Sequence, residues 1–364
     1  MAGSWVSLVD SAGIELDALA EVVPSARVVG PAGIAVTDVV YDHRAVTEGA
    51  LFACVPGYVV DGHDCAQAAV DAGAAAVVVE RELDIRVPQL VVPSTRAALG
   101  VVADAFFEQP SRDLTVVGVT GTNGKTTTTF LVHAILAADG RRPGLLGTIE
   151  RRIGGERWAS RLTTAESVDI QRDLRAMTDA GDRSCVMEVS SHAVALDRLR
   201  AVRFDALVFA NLGRDHLDFH GDLESYFRVK RQLFVETDID GRRPPAVVNL
   251  DDPWGQRLAS DLAALGEPPL TFGRRADADV VATDVRAGLD GTRLRVGTGE
   301  LDSPLRGEFN VENILAAAAV ARLLGIQDDT LARGVGHVRG VPGRFETVDA
   351  GQPFTVIVDY AHTP

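Results

Sequence analysis

The run Gly121-Thr122-Asn123-Gly124-Lys125-Thr126 sets two glycines, a lysine and threonine hydroxyls within six residues, and Thr127 follows. Those types at that spacing suit a nucleoside triphosphate with magnesium. Backbone N–H groups of a glycine loop, with the positive end of a following helix, cradle phosphate oxygens. Lys125 then reaches the outer phosphates and the Thr126 hydroxyl binds the metal. The strict loop pattern has glycine five positions before Gly124, where this chain has Val119; Gly118 lies one position earlier. The same spacing fits a plain Gly/Thr-rich turn, and it does not choose ATP over GTP. The flanking elements favour the phosphate loop, because the β-branched run Leu114 to Val119 reads as a strand and Thr126 to Ala138 has helical periodicity.

Other elements must hold this loop in place. Residues 1 to about 110 mix short apolar runs, Ala74 to Val79 and Leu90 to Val92 among them, with helical patterns. They end in an amphipathic stretch, Arg96 to Phe107, broken by Gln109-Pro110-Ser111. Beyond the loop, the runs Ser184 to Val189, Ala206 to Phe209 and Ala246 to Asn249 alternate with helical stretches, as in a mostly parallel sheet covered by helices. Val280 to Leu305 reads as an antiparallel appendage, and a helix from about Val311 to Leu324 ends at Gly325. Gly343-Arg344-Phe345-Glu346 and a strand candidate, Phe354 to Asp359, come last. The expected fold class is α/β: an N-terminal mixed α/β domain over 1–110, a central phosphate-loop domain with a mostly parallel sheet over 111–334, and the start of a third unit over 335–364.

The chain has 364 residues, 46% hydrophobic and 24% charged, the composition of globular domains with cores of their own. A net charge of -15 without clustered lysine or arginine opposes a nucleic-acid partner. Cys54, Cys65 and Cys185 form no C-x-x-C pair and sit in apolar stretches, which reads as buried thiols of a reducing compartment. Met1 to Asp10 has no basic segment leading into an apolar core, and no apolar run approaches a membrane span. No membrane insertion and a cytoplasmic location are therefore expected.

In its full form, Gly118 to Thr127, the loop resembles that of the Mur ligases, the ATP-dependent amide-forming enzymes that build the peptidoglycan peptide stem. Four further blocks stand in the family's order: Met187-Glu-Val-Ser-Ser-His192; Asn211-Leu-Gly-Arg-Asp-His-Leu-Asp-Phe-His-Gly221 with Tyr226 and Lys230; Gly307-Glu-Phe-Asn-Val-Glu-Asn313; and Val358-Asp-Tyr-Ala-His-Thr-Pro364. The set is most similar to the branch (MurE) that adds the third stem residue to UDP-N-acetylmuramoyl-L-Ala-D-Glu. The resemblance spans about residues 37 to 364. It implies ATP and magnesium as cofactors, and as partners the UDP-muramoyl dipeptide and an amino acid.

A carboxylate does not acylate an amine at neutral pH, because oxide would have to leave; the γ-phosphoryl group of ATP converts it to an acyl phosphate. Several negative charges then converge, so cations must offset them. Glu188 closes a strand run at the end where parallel α/β proteins bind ligands, which suits a magnesium ligand as well as a solvated carboxylate. The resemblance implies that His216 binds a second magnesium, that Lys230 joins it as N6-carboxylysine, and that Lys125, Glu188, His216 and Lys230 form the catalytic set. Without it, His216 reads equally as a capping or core histidine, and Lys230 as a solvated lysine beside Tyr226. Asn310 and Asn313 read as helix-capping residues; the resemblance implies that both bind the nucleotide, with Asn310 against the adenine. Arg344 and Asp359 match positions touching nucleotide phosphates and ribose. Thr163, Thr164, Ser190 and Ser191 match positions holding the muramoyl peptide, and Arg198 a cation facing its acidic end. Asp42 and Arg44, with Gly49-Ala-Leu-Phe52 and Asp61-Gly-His63, match the sugar-nucleotide region.

Two departures fall among these residues. Family members show Asp-Ser-Arg where this chain has Asp42-His43-Arg44, and Thr-Thr-Pro where it has Thr163-Thr164-Ala165. A paralogue acting on another UDP-muramoyl peptide therefore stays open. Full-length members also continue past Asp-Tyr-Ala-His-Thr-Pro into a Rossmann-like C-terminal domain that binds the amino acid, so a chain stopping at Pro364 is expected to bind ATP without closing an amide bond. A non-catalytic nucleotide or UDP-sugar binding module and a folylpolyglutamate-type ligase are the rival readings.

Overall fold

The computed structural model describes residues 13–236, 238, 240–348 and 350–361, and the chain divides into two compact units. The reading of Met1 to Asp10 and the last three residues of the final motif, 362–364, lie outside the described residues. Unit one comprises residues 1–113, 165–179 and 196–202; unit two comprises 114–164, 180–195 and 203–364.

Unit one is built on strands β1 (Arg27–Val29), β2 (Asp38–Val40), β3 (Ala50–Ala53), β4 (Ala76–Val79) and β5 (Gln89–Val91), with helices α1 (Leu16–Glu21), α2 (Ala66–Asp71) and α3 (Thr95–Phe106). The sheet order is β1-β5-β4-β3-β2, parallel except for β1. Every residue of β3 and β4 is buried, as unbroken apolar runs in a two-faced sheet require. The Ser94 hydroxyl caps α3 by accepting from the Ala97 N–H at 3.3 Å, and Leu99, Val102, Ala103 and Phe106 carry the helix into the core.

Unit two begins with β6 (Thr115–Thr120), α4 (Lys125–Ala138), β7 (Pro143–Leu146), β8 (Glu150–Ile153) and β9 (Glu156–Ala159). The next helix, α5 (Ser167–Asp179), belongs to unit one, where Val168 enters the same core as α3. Unit two resumes with β10 (Ser184–Glu188), α6 (Ser191–Ala195), β11 (Ala206–Phe209), α7 (Leu217–His220), α8 (Leu223–Val235), β12 (Ala246–Asn249), α9 (Pro253–Ala264) and β13 (Leu270–Gly273). An antiparallel meander, β14 (Val280–Gly288), β15 (Gly291–Val296) and β16 (Gly299–Ser303), precedes α10 (Asn310–Leu323), α11 (Asp328–His337) and a hairpin of β17 (Glu346–Val348) and β18 (Val356–Val358). One sheet runs β9-β8-β7-β10-β6-β11-β12-β13-β14-β15-β16, and its central strands β7 to β13 are parallel.

β6 lies between β10 and β11, and α4 carries the chain from β6 to β7, beyond β10, while later strands add on the β11 side, so strand order reverses at β6. Open parallel sheets bind ligands at such a point, beyond the carboxyl ends of the strands. The loops after β10, β6 and β11 emerge there together. Helix α10 is alanine-rich and buried nearly all round, which lets it pack closely against α4.

Candidate functional site

Gly124 is the N-cap of α4, with φ of +85°, and a side chain there would strike Asn313 Oδ1 at 2.3 Å. Both the left-handed backbone and the close approach demand glycine. The loop before it is braced from the end of β11. Asn211 accepts from the Asn123 N–H at 2.8 Å and donates to its carbonyl at 3.2 Å, while the Thr122 hydroxyl accepts from the Gly213 N–H at 2.9 Å. The loop is thus held open before any ligand arrives.

Lys125 folds back over this loop, its Nζ donating to the carbonyls of Gly121 and Thr122 at 2.9 Å each. Burial pushes its pKa down; Glu188 and Asp215 pull it back up and Arg344 opposes them. Lys125 is half-buried by exposed area, whereas Lys230 is 1% exposed, and its Nζ donates to Thr120 Oγ1 and to the Gly121 carbonyl, both at 3.1 Å. Burial and the neighbouring Lys125 drive its pKa well below the ordinary lysine value. The two lysine Nζ atoms therefore converge on a single carbonyl oxygen. Lys230 also lies 4.8 Å from the Tyr226 ring centroid, so the solvated lysine read from the helix pattern is instead buried.

Glu188, at the end of β10, is 1% exposed and accepts from the Thr126 hydroxyl at 3.0 Å and from the Thr148 N–H and hydroxyl at 2.7 and 3.0 Å. Arg344 donates to Thr126 Oγ1 at 3.2 Å and stacks 5.0 Å over the Tyr360 ring. One cavity is lined by Thr122 to Thr127, Thr148, Thr163, Glu188, Asp215, His216, Arg344 and Tyr360. His216 takes the N-cap position of α7 at φ +53° without a side-chain cap bond, its Nε2 3.4 Å from Asp215 Oδ2. Among the described residues no three His, Cys, Asp or Glu side chains are placed to hold a metal. Magnesium is commonly bound through one or two carboxylates plus water and substrate phosphate oxygens, so the adjacent Thr126 hydroxyl and Glu188 carboxylate fit it.

The other expected residues take different places. Asn310 is the first residue of α10 rather than its cap; its amide donates to the Arg306 carbonyl at 2.7 Å and accepts from Asn313 at 2.9 Å. Asn313 in turn accepts from the Thr128 hydroxyl at 3.3 Å. Asp359 accepts from the Phe345 N–H at 2.6 Å. Thr163 Oγ1 lies 3.0 Å from Thr148 Oγ1, and Thr164 joins the Glu188 carbonyl to the Ser190 N–H at 2.9 and 3.0 Å. Ser190 is half-buried, whereas Ser191 is 2% exposed and bonded to His220.

In unit one, Asp42 grips Arg44 through Nε at 2.9 Å and Nη2 at 2.7 Å, which holds the Asp42 pKa at about 2. Arg198 pairs with Glu166 at 2.7 Å. Buried His63 donates from Nδ1 to Asp61 at 2.6 Å, because its Nε2 accepts from the Glu80 N–H at 2.9 Å. Of the three cysteines, Cys54 and Cys185 are buried and Cys65 is partly exposed.

Sequence reading passed over Thr148, Asp215 and Tyr360 and gave Asn211 and Tyr226 no chemistry of their own. The polar residue directly after a parallel strand was a usable signal for Asn211; Thr148 offered none.

Comparison with known proteins bears on this arrangement. The Mur ligase middle domain profile matches residues 119–321, and a second profile, Mur ligase family, catalytic domain, matches residues 35–112. The chain is 45% identical over 330 residues to the UDP-N-acetylmuramoyl-L-alanyl-D-glutamate--2,6-diaminopimelate ligase of Geobacillus kaustophilus, covering 89% of this chain and 67% of the relative. It is 45% identical over 352 residues to the UDP-N-acetylmuramyl-tripeptide synthetase of a Roseiflexus species, covering 92% and 69%. A solved UDP-N-acetylmuramoyl-L-alanyl-D-glutamate--2,6-diaminopimelate ligase superposes with a TM-score of 0.78 at 30% identity, over 90% of this chain and 68% of that one. With a phosphate loop of this geometry and relatives of this closeness, the chain belongs to the Mur ligase family.

Proposed function

We propose that the protein is an ATP-dependent amide ligase that joins an amino acid to UDP-N-acetylmuramoyl-L-Ala-D-Glu. The observation that carries this reading is the convergence of Lys125, Thr126, Glu188 and Arg344 on one cavity at the strand-order reversal. Unit one is read as the side that takes the UDP substrate, unit two as the ATP-binding side, and residues 335–364 as the start of a C-terminal domain. The amino acid to assay first is 2,6-diaminopimelate, which the relatives' names give.

The substrate carboxylate attacks the γ-phosphorus of ATP and ADP departs with the bridging oxygen's electrons. The amine then attacks the acyl carbon, phosphate leaves with its electron pair, and the amine sheds a proton to water. Lys125 exchanges the two loop carbonyls for phosphate oxygens. Arg344, already at the rim, adds a planar cation toward the same charge. Thr126 and Glu188 would hold one magnesium, and His216 with an N6-carboxylated Lys230 a second; when bound, the metal would neutralise phosphate charge. Asn310, Asn313 and Asp359 are assigned to the nucleoside side; Asp42, Arg44, Thr163, Thr164, Ser190 and Arg198 to the UDP-muramoyl peptide.

The test is phosphate release that requires both the UDP-muramoyl dipeptide and an amino acid. Release that needs neither, or that follows a folate instead, sinks the assignment. A magnesium-bound crystal showing a bare Lys230 ammonium, with full activity in Lys230→Ala, would remove the carboxylated lysine alone.

A further inference from the structure

The tandem Ser190-Ser191 follows Glu188 by two residues, and both hydroxyls were expected to meet the muramoyl peptide. Their surroundings differ. Ser190 is half-buried, and its hydroxyl accepts from the Ala193 N–H at 3.2 Å. Ser191 is 2% exposed and faces inward. Its Oγ lies 2.8 Å from His220 Nε2, and the Ser191 side chain is near enough to the Tyr226 hydroxyl to lower that group's pKa against the rise from burial. The Tyr226 hydroxyl lies 3.4 Å from Thr122 Oγ1, inside the phosphate loop, and Thr122 Oγ1 holds the Gly213 N–H. His220 stacks on the Tyr226 ring at 4.7 Å and 24° between planes. Tyr226 and Thr122 are 1% and 5% exposed. Ser191, Tyr226 and Thr122 are buried while His220 is half-buried at the edge, and such a polar chain favours one arrangement because a broken inner member leaves a buried group unsatisfied.

We propose that Ser191 and His220 are positioning residues that act on ATP through Tyr226 and Thr122, and that Ser190 alone of the tandem pair serves the muramoyl peptide. This rests on the proposed function only for the identity of the two ligands. His220 fixes the Ser191 hydroxyl and the plane of the Tyr226 ring; Ser191 orients the Tyr226 hydroxyl; Tyr226 steadies Thr122, whose backbone belongs to the phosphate cradle.

Calorimetry on the whole chain tests it, with magnesium and a non-hydrolysable ATP analogue as one probe and UDP-N-acetylmuramoyl-L-Ala-D-Glu as the other. Ser191→Ala and His220→Phe, which keeps the ring, should each weaken the analogue about fivefold to tenfold, the scale of one hydrogen bond. The double variant should be no weaker than either single one, since the two act in series. His220→Gln, which can restore a nitrogen near Nε2, should recover affinity to within about twofold. The dipeptide affinity should stay put in all of these and fall only in Ser190→Ala. Additive losses, analogue affinity at the wild-type level, or a Ser191→Ala variant that loses the dipeptide instead would each overturn the assignment. A wild-type chain that binds no analogue would overturn the proposed function and this inference together.

Discussion

Lys125 and Lys230 in unit two and Arg44 and Arg198 in unit one are cations treated in opposite ways. The arginines lie against carboxylates, Asp42 and Glu166, at 2.7 Å. The lysines, Lys230 buried and Lys125 half-buried, lie on backbone carbonyls and, for Lys230, a threonine hydroxyl. A carbonyl dipole offsets only part of a buried charge, and an arriving anion would gain the remainder; beside a paired arginine, it must first compete with a carboxylate. On the proposed function, the lysines of unit two would gain from an arriving phosphate, whereas an acidic substrate at Arg198 would have to share or displace Glu166.

The sharpest way to break this contrast is Lys125→Met. It should weaken ATP binding by about a thousandfold, since a charge-assisted contact in a low-dielectric site is lost, while the melting midpoint holds or rises because a buried charge is gone. A clear fall in midpoint with ATP affinity intact would reverse the interpretation. Arg198→Met should do the opposite, costing about 3 kcal/mol in urea unfolding by stranding Glu166, with much of the loss recovered when Glu166→Gln is added. Absence of that recovery would show the pair to be incidental.

His133, on α4, extends the contrast to a group that escapes charge altogether. Burial, with Arg152 second, lowers its pKa from 6.5 to about 4. Below pH 6.5 the unfolded chain binds a proton that the folded chain refuses until about pH 4, so stability falls with acidification across that window. The loss attributable to His133 is about 2 kcal/mol at pH 5, and His133→Gln should flatten the stability profile there. A profile unchanged by that substitution would place the proton elsewhere. The smallest effect belongs to Asp42, whose lowered pKa gives stability present above about pH 4 and lost as the pH falls through about 2. Its side chain is 36% exposed, so solvent screening limits Asp42→Asn to under about 1 kcal/mol.

Much of this architecture was legible because strand and helix leave different periodicities. Ala206–Phe209 and Ala246–Asn249 were read to the residue, and the phosphate-loop helix begins one residue earlier than expected, at Lys125. The Val280 to Leu305 segment is an antiparallel meander as read. What the sequence hid is long-range. Nothing in Leu223–Val235 shows that Lys230 faces the phosphate loop while Arg231 pairs with Asp261 at the surface, because the side of a helix that meets a neighbour depends on the sheet beneath it. Two adjacent serines read as equivalent, and only packing separates them. Glu188 was legible as a strand-end carboxylate, but its partners come from elsewhere in the chain, Thr126 from the first turn of α4 and Thr148 from the loop after β7.

The membership of α5 has a consequence for how the protein is made. The backbone passes between the two units five times, after residues 113, 164, 179, 195 and 202. A ribosome must therefore deliver residue 202 before unit one has all its parts, by which time three parallel strands of unit two, β6, β7 and β10, have also been synthesised. No single proteolytic cut or gene division would release either of them whole.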